Sequence, residues 1–464
     1  MNLPDTILVQ DLQAVHPEYD SGRLAHCKAL YHGGRIFAES LDEFLVKRKI
    51  EEKDRSHYEL RKRRSFYVPY SAGLLDWIAA AAFQDGVEVR VVSGDQEAVD
   101  YYESLNADAD GRGTPITAIA SRALLAAMTY GRAYVFPDFR HPMSIATQPK
   151  TKDARLVLLD PVAIDDWEQD EEGFLEWSRM HVMERTRDEA AHYKKAQDER
   201  HLWTFFDEKN ITVYELLKKA GQRQEKIAKR IESRAHGLGL CPVFDVRSPE
   251  NIWVMDRIFE VAVALFNREA SLTWALDMSA YATLVLTLDQ TQINQIVATE
   301  LAALRLRVGE SANYIAPPGG IYEPLFKDAD RLKANLYEVV RTLGIDAAKV
   351  PQAGRMSGET ISQMRAPLDV LLESFSQPVL EAIARLIDAV RRKRGDDDVE
   401  VEIVMGDDAE VSTDETEREM EAERGRDEGD SDGSEAESTD GGSEDGAAGE
   451  SIGYRKALVA EDRI

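Results

Sequence analysis

The chain predicts an α+β fold, and three observations carry that prediction. Residues 132–217 are dense in aromatic and β-branched residues separated by polar turns, the composition of strands. The stretches 251–278, 326–344 and 358–393 place apolar residues three and four apart, as amphipathic helices do. Residues 406–450 are acidic and nearly devoid of large apolar side chains, so they cannot offset the entropy of ordering and are expected to be disordered.

Taken in order, residues 41–65 ("LDEFLVKRKIEEKDRSHYELRKRRS") predict a helix, with good helix formers and opposite charges three or four apart. It ends in Arg61, Lys62, Arg63 and Arg64, which read either as a phosphate or partner contact or as a solvated helix end whose cations suit the C-terminal dipole. A second helix covers about 115–130, opening on a proline and stopping at Gly131. The strands "RAYVFPDF", "ARLVLLDPVAIDDW", "GFLEWSRMHVMERT", "RHLWTFFDE" and "ITVYELL" then predict one antiparallel sheet of consecutive strands, followed by a charged helix near 215–235 and a strand, "CPVFDVR" (241–247).

Beyond Pro249, Ile252, Met255, Phe259, Ala262 and Phe266 mark a long amphipathic helix. Residues 281–323 mix a strand-like "YATLVLTL", a helical "TQINQIVATELAALRLR" and a turn forced by Pro317, Pro318, Gly319 and Gly320. Leu332, Leu336, Val339 and Leu343 mark the next helix. After a small, flexible, mildly basic loop comes a long helix striped by Leu368, Leu372, Phe375, Val379, Ile383, Leu386 and Val390, with kinks expected at Pro367 and Pro378. A strand, "VEVEIVM" (399–405), closes the ordered part.

At 464 residues and 43% apolar content the chain is long enough for two or three packed units. Its formal charge of −28 is unevenly spread: residues 396–450 hold 24 acidic side chains against 3 arginines (−21), and 451–464 carry +1, leaving −8 for residues 1–395. Local basic patches therefore decide whether the folded part meets a polyanion. The acidic tail reads either as an interaction or DNA-mimicking segment or as a solubilising one. Two cysteines, Cys27 and Cys241, suit neither a disulfide framework nor a zinc-ligand spacing and read as thiols of a reducing compartment. No signal-peptide pattern opens the sequence, and its best apolar runs are too short or too charged to span a membrane.

Catalytic motifs are absent: there is no phosphate-binding loop with its lysine, no dinucleotide fingerprint, no zinc-protease helix and no nucleophile elbow. Asp165, Asp166, Glu168, Asp170, Glu171 and Glu172 read either as oxygen ligands for a divalent metal or as an acidic turn between strands. The histidines, His32, His141, His181 and His236 among them, form no pair at ligand spacing in the sequence, so neither a metal site nor a cofactor is expected. Two long helices that lead out to a small insert cannot bury both faces alone, and oligomerisation would bury them.

The stretches "RKRRSFYVPYSAGLLDWIAAAAF" (61–83) and "RLVLLDPVAIDDWEQ" (155–169), and above all the order of parts from 250 to 393, resemble the portal proteins of tailed bacteriophages. The likeness covers roughly residues 30 to 405. It implies a phage portal fold: an α/β wing over 1–249, a first stem helix over 250–280, a clip over 281–323, and a second stem helix over 324–345. A tunnel loop over 346–358, a long kinked helix with a closing wing strand over 359–405, and a disordered acidic tail over 406–464 complete the division. The helical crown of many portals is doubtful here, because the residues after 405 are of low complexity.

The resemblance further implies a non-enzymatic, homododecameric ring at a capsid vertex of the virion, assembled in the host cytoplasm. Double-stranded DNA would pass through it without sequence specificity, and a terminase motor, a head-tail adaptor, the major capsid protein and a scaffold would be its partners. In such a ring Lys349 and Arg355 of the loop become rings of positive charge beside passing phosphates. Lys327, Arg331, Lys333 and Arg341 on the second stem helix are further channel-facing candidates. Without the resemblance the loop reads equally as a long helix-helix connection. Two other functions stay open: a cytoplasmic metal-dependent nucleic-acid enzyme using the 165–172 carboxylates, and a scaffold or adaptor that forms no ring.

Overall fold

Strand texture resolves into two sheets where the sequence predicts one. A computed structural model describes residues 3–53, 55–139, 153–187, 197–218, 226–248, 253–279, 283–287, 311–315, 322–341 and 358–405. All belong to one compact unit, Met1–Asp408. The elements open with β1 (Thr6–Leu8) and α1 (Val9–Leu12), continue through α2 (Ser21–His32), α3 (Gly34–Glu39), α4 (Leu41–Phe44), α5 (Lys49–Lys53) and α6 (Arg55–Arg64), and reach α7 (Tyr70–Ala82). Next come β2 (Val87–Ser93), α8 (Gln96–Ala107), α9 (Ile116–Tyr130), β3 (Arg132–Asp138), β4 (Arg155–Leu159), a 3-10 turn at Pro161–Ala163 and β5 (Ile164–Gln169). The strands β6 (Leu175–Arg187), β7 (Gln197–Phe206), β8 (Asn210–Lys218), β9 (Ile227–Ala235) and β10 (Phe244–Arg247) follow. Last are α10 (Val254–Ser279), β11 (Thr283–Thr287), β12 (Ser311–Ile315), α11 (Tyr322–Arg341), α12 (Gly358–Arg394) and β13 (Glu400–Met405).

One antiparallel sheet has the order β1-β9-β8-β7-β6-β5 and a second the order β10-β3-β4. The split falls after β4, where Asp160 caps the 3-10 turn through the Val162 amide and redirects the chain before β5. The predicted charged helix near 215–235 is corrected to strands: β8 runs to Lys218 and β9 pairs with β8 and with β1. Its sequence, "IAKRIESRA", buries Ala228 alone, so the pairing is held by backbone hydrogen bonds and leaves no apolar signature.

The predicted helix over 41–65 is also corrected. Extended backbone at Leu45 ends α4, and the Glu51 carboxylate takes the Arg48 amide at 2.9 Å to start α5, a capping arrangement that outcompetes helical continuity. By contrast α9 matches expectation: Gly131 terminates it in the left-handed region (φ 82°).

The main core lies between α7, α9, α10, α12 and the β3 sheet, with Ile78, Leu124, Val135, Ile258, Val379 and Leu386 all buried. The predicted stripes face it: Met255, Phe259, Ala262 and Phe266 of α10 and Leu372, Phe375, Val379, Ile383, Leu386 and Val390 of α12 are buried. Helix α12 stays one helix through both Pro367 and Pro378. Strand β13 crosses back to pair antiparallel with β2, bringing residues 400–405 against 87–93. The predicted helix within 291–307 and the acidic tail lie outside the described residues.

Candidate functional site

Helices α10 and α11 pack side by side and antiparallel, since contacts advance along one as they retreat along the other. Ala262 and Leu336 line the same small pocket at one end, Leu265 clusters with Ala329 and Leu332, and Arg268 pairs with Asp328 at 2.5 Å. Between the helices in sequence, β11 and β12 form a separate two-stranded antiparallel sheet. Beyond α11, residues 342–357 lead to α12, whose apolar stripe returns to the main core.

The charges of α11 divide by face. Lys327 and Arg331, one turn apart, are exposed and held by Glu323 at 2.8 Å and Asp328 at 2.8 Å. Lys333 pairs with Glu269 at 3.1 Å and sits 4.8 Å over the Tyr70 ring, and hydrogen bonding to Tyr70 and then to Glu269 raises its pKa. Arg341 ends α11, and its side chain lies outside the described residues, as do Lys349 and Arg355.

The basic cluster at 61–64 does not act as a unit. Arg61 is buried at 1% exposure and grips Glu51 through two hydrogen bonds of 2.7 Å while also donating to the Val46 carbonyl at 2.6 Å. It is therefore corrected from a contact residue to a structural one. Burial works to raise the Glu51 carboxyl, but Arg61 and the Arg48 amide outweigh it and hold the group below the usual carboxylate range. Lys62 turns to Asp42 at 2.6 Å, and Arg64 to Asp277 at 3.4 Å with its guanidinium near the Trp274 ring. Arg63 stays exposed.

The acidic run 165–172 is dispersed. Asp165 accepts from Arg179 at 2.7 Å, and Arg179 also reaches Asp166 at 3.3 Å. Burial, ahead of the opposing guanidinium, raises both aspartates. Glu168 accepts from the Trp177 indole at 2.7 Å, and Asp170 caps its own turn through the amides of Glu172 and Phe174. Among the described residues no group of three or more histidines, cysteines or carboxylates is arranged to hold a metal ion. Both cysteines are buried, and burial raises each thiol to about 12.

One pairing was invisible in the sequence. His181 of β6 and His201 of β7 meet across the strand pair, Nε2 to Nδ1 at 3.1 Å, and both stack on Trp203. The sequence reading concerned ligand spacing along the chain, which these two residues do not have; adjacent strands bring them together although they lie 20 apart. Burial first, then the neighbouring His201 and Arg179, lowers His181 to about 4. The two rings border a cavity of about 280 Å³ that Val9, Leu12 and Tyr19 also line.

No family model and no curated protein matches the chain. Solved structures do. A chain in the virion of a native gene transfer agent (GTA) particle is 12% identical with a TM-score of 0.40, covering 80% of this chain and 90% of that one. A chain in the neck of an empty GTA particle, computed with C6 symmetry, is 13% identical with a TM-score of 0.41, covering 79% and 88%. A chain in the neck of the native GTA particle, computed with C12 symmetry, is 13% identical with a TM-score of 0.38, covering 77% and 85%. At these values the likeness is distant.

Proposed function

We propose that this chain is a portal-like subunit: a ring of copies at one vertex of a phage-like capsid, through which double-stranded DNA is packaged and ejected. The observation that carries the reading is the antiparallel pair α10 and α11 with a separate two-stranded sheet between them, followed by the 342–357 connection and a 37-residue helix anchored in the main core. In this division 1–249 is the wing, 250–280 and 324–345 the stem, 281–323 the clip and 346–358 the tunnel loop. The protein then has no catalytic task. A separate motor hydrolyses ATP, docks at the clip and is later replaced by a tail adaptor.

Symmetric closure explains why such a subunit leaves apolar side chains such as Phe326 and Tyr337 of α11 exposed when alone. It also explains how weak single charges become useful, because one exposed Arg331 per copy becomes a ring of guanidinia around a polyanion of any sequence. Light scattering and electron microscopy of the purified full-length chain test the reading. A closed ring of about a dozen subunits with a central opening is expected; a compact particle with no projecting helix pair overturns it.

A further inference from the structure

Of the four basic residues 61–64, Arg61, Lys62 and Arg64 are engaged within the chain, and among the described residues no ion pair holds Arg63. Arg63 is exposed, and the residues three before and three after it are exposed apolar side chains, Leu60 at 41% and Phe66 at 58% exposure. An apolar ridge of this kind, carrying one free cation, is a surface that water solvates poorly.

A groove of complementary character exists elsewhere on the molecule. It is a cavity of about 620 Å³ between the start of β6, the β7–β8 turn, the approach to β10 and the last turns of α12. Its floor is apolar, with Leu175, Val243 and Phe244 buried, and Phe174 is exposed at its mouth. Glu176 and Glu208 stand exposed on its rim, and no ion pair holds them among the described residues. On the α12 wall Arg392 is neutralised by Asp388, while Arg385 lies 4.2 Å over the Phe174 ring, near Asp245, Glu381 and Asp170. The uncompensated charge of the rim is negative.

We propose that the Leu60–Arg63–Phe66 ridge of one copy seats in the Glu176–Glu208 groove of the next. The partner is a second copy of this chain, chosen because ridge and groove match in both charge and apolar character while being built from different elements. Two different patches meeting make a heterologous contact, and such contacts form a ring where the rotation between copies closes and an open filament where it does not. The inference rests on the ring reading and names the surface that would generate it. Burial of Phe66 supplies the attraction, and the Arg63 pairing with the two glutamates sets the register.

The test uses charge reversal in the full-length chain. Arg63→Glu alone, and Glu176→Lys with Glu208→Lys alone, are each expected to give subunit mass by light scattering with unchanged circular dichroism. Mixed one to one, the two variants are expected to regain ring mass, since each ridge then meets a groove of opposite sign, and rings so formed contain an even number of copies. If wild type forms rings and either reversal keeps them, or the mixture does not regain them, the ridge-groove contact is overturned while the ring reading stands. If wild type stays a subunit at every concentration, both fall together.

Discussion

Arg61 shows how little a basic run in sequence says about its individual residues. Its guanidinium is buried with Glu51 and satisfies the Val46 carbonyl, so removing it strands a buried carboxylate. Arg61→Ala is expected to cost about 3–5 kcal/mol, whereas Arg63→Ala should fall within about 0.5 kcal/mol in the subunit, both measured by urea unfolding. His181 supplies a pH dependence. It faces Asp165, Arg179, His201 and Trp203, and its lowered pKa means that the unfolded chain binds more protons than the folded one between about pH 6.5 and about 4. That contribution is intact above about pH 6.5 and lost as the pH falls toward about 4. His201 shifts the same way and the raised Asp165 the opposite way, so the informative quantity is a difference. Melting temperatures of His181→Phe should fall less steeply than those of wild type across this window.

Among the elements, the long helices were legible because each buries a stripe against a core and so repeats with the helical period. The short ones were not: α4, α5 and α6 merge into one helical pattern until a local cap divides them. Strand β9 was misread because a strand buried at one residue shows charges at every spacing. The sequence reading assigns β13 but not β2, the strand that it pairs with more than 300 residues away. The end of α9 is a point where sequence and structure agree for a reason that can be tested. A Cβ on Gly131 would lie 3.3 Å from the Trp253 ring, which donates to the Thr129 carbonyl at 2.8 Å just before α10 begins. Gly131→Ala combines this contact with a left-handed backbone and is expected to destabilise the chain by about 1–2 kcal/mol, read as a lower urea midpoint at unchanged slope.

At the scale of the molecule, distant segments complete the sheets. Thr6–Leu8 adds β1 to the edge of β9, with Arg230 reaching Asp5, and β13 returns to β2. The channel residues of the portal reading divide by location: Lys327 and Arg331 stand outward on α11, Lys333 is occupied, and Lys349 and Arg355 lie outside the described residues. Alanine at both Lys349 and Arg355 is expected to leave ring mass unchanged and to lower the DNA retained per particle in a packaging assay. Full packaging by that variant would remove the loop from the DNA path.

The sequence alone determined the α+β class, the order of the long helices and the stop at Gly131, because hydrophobic periodicity and backbone chirality act over a few residues. Tertiary structure decided which charges are free. It buried Arg61 with Glu51, turned Lys333 onto Glu269, bound Asp165 to Arg179 and joined His181 to His201. A charge is paired or exposed according to what packing brings within a few ångströms, and strand pairing and helix crossing bring together residues from any distance along the chain.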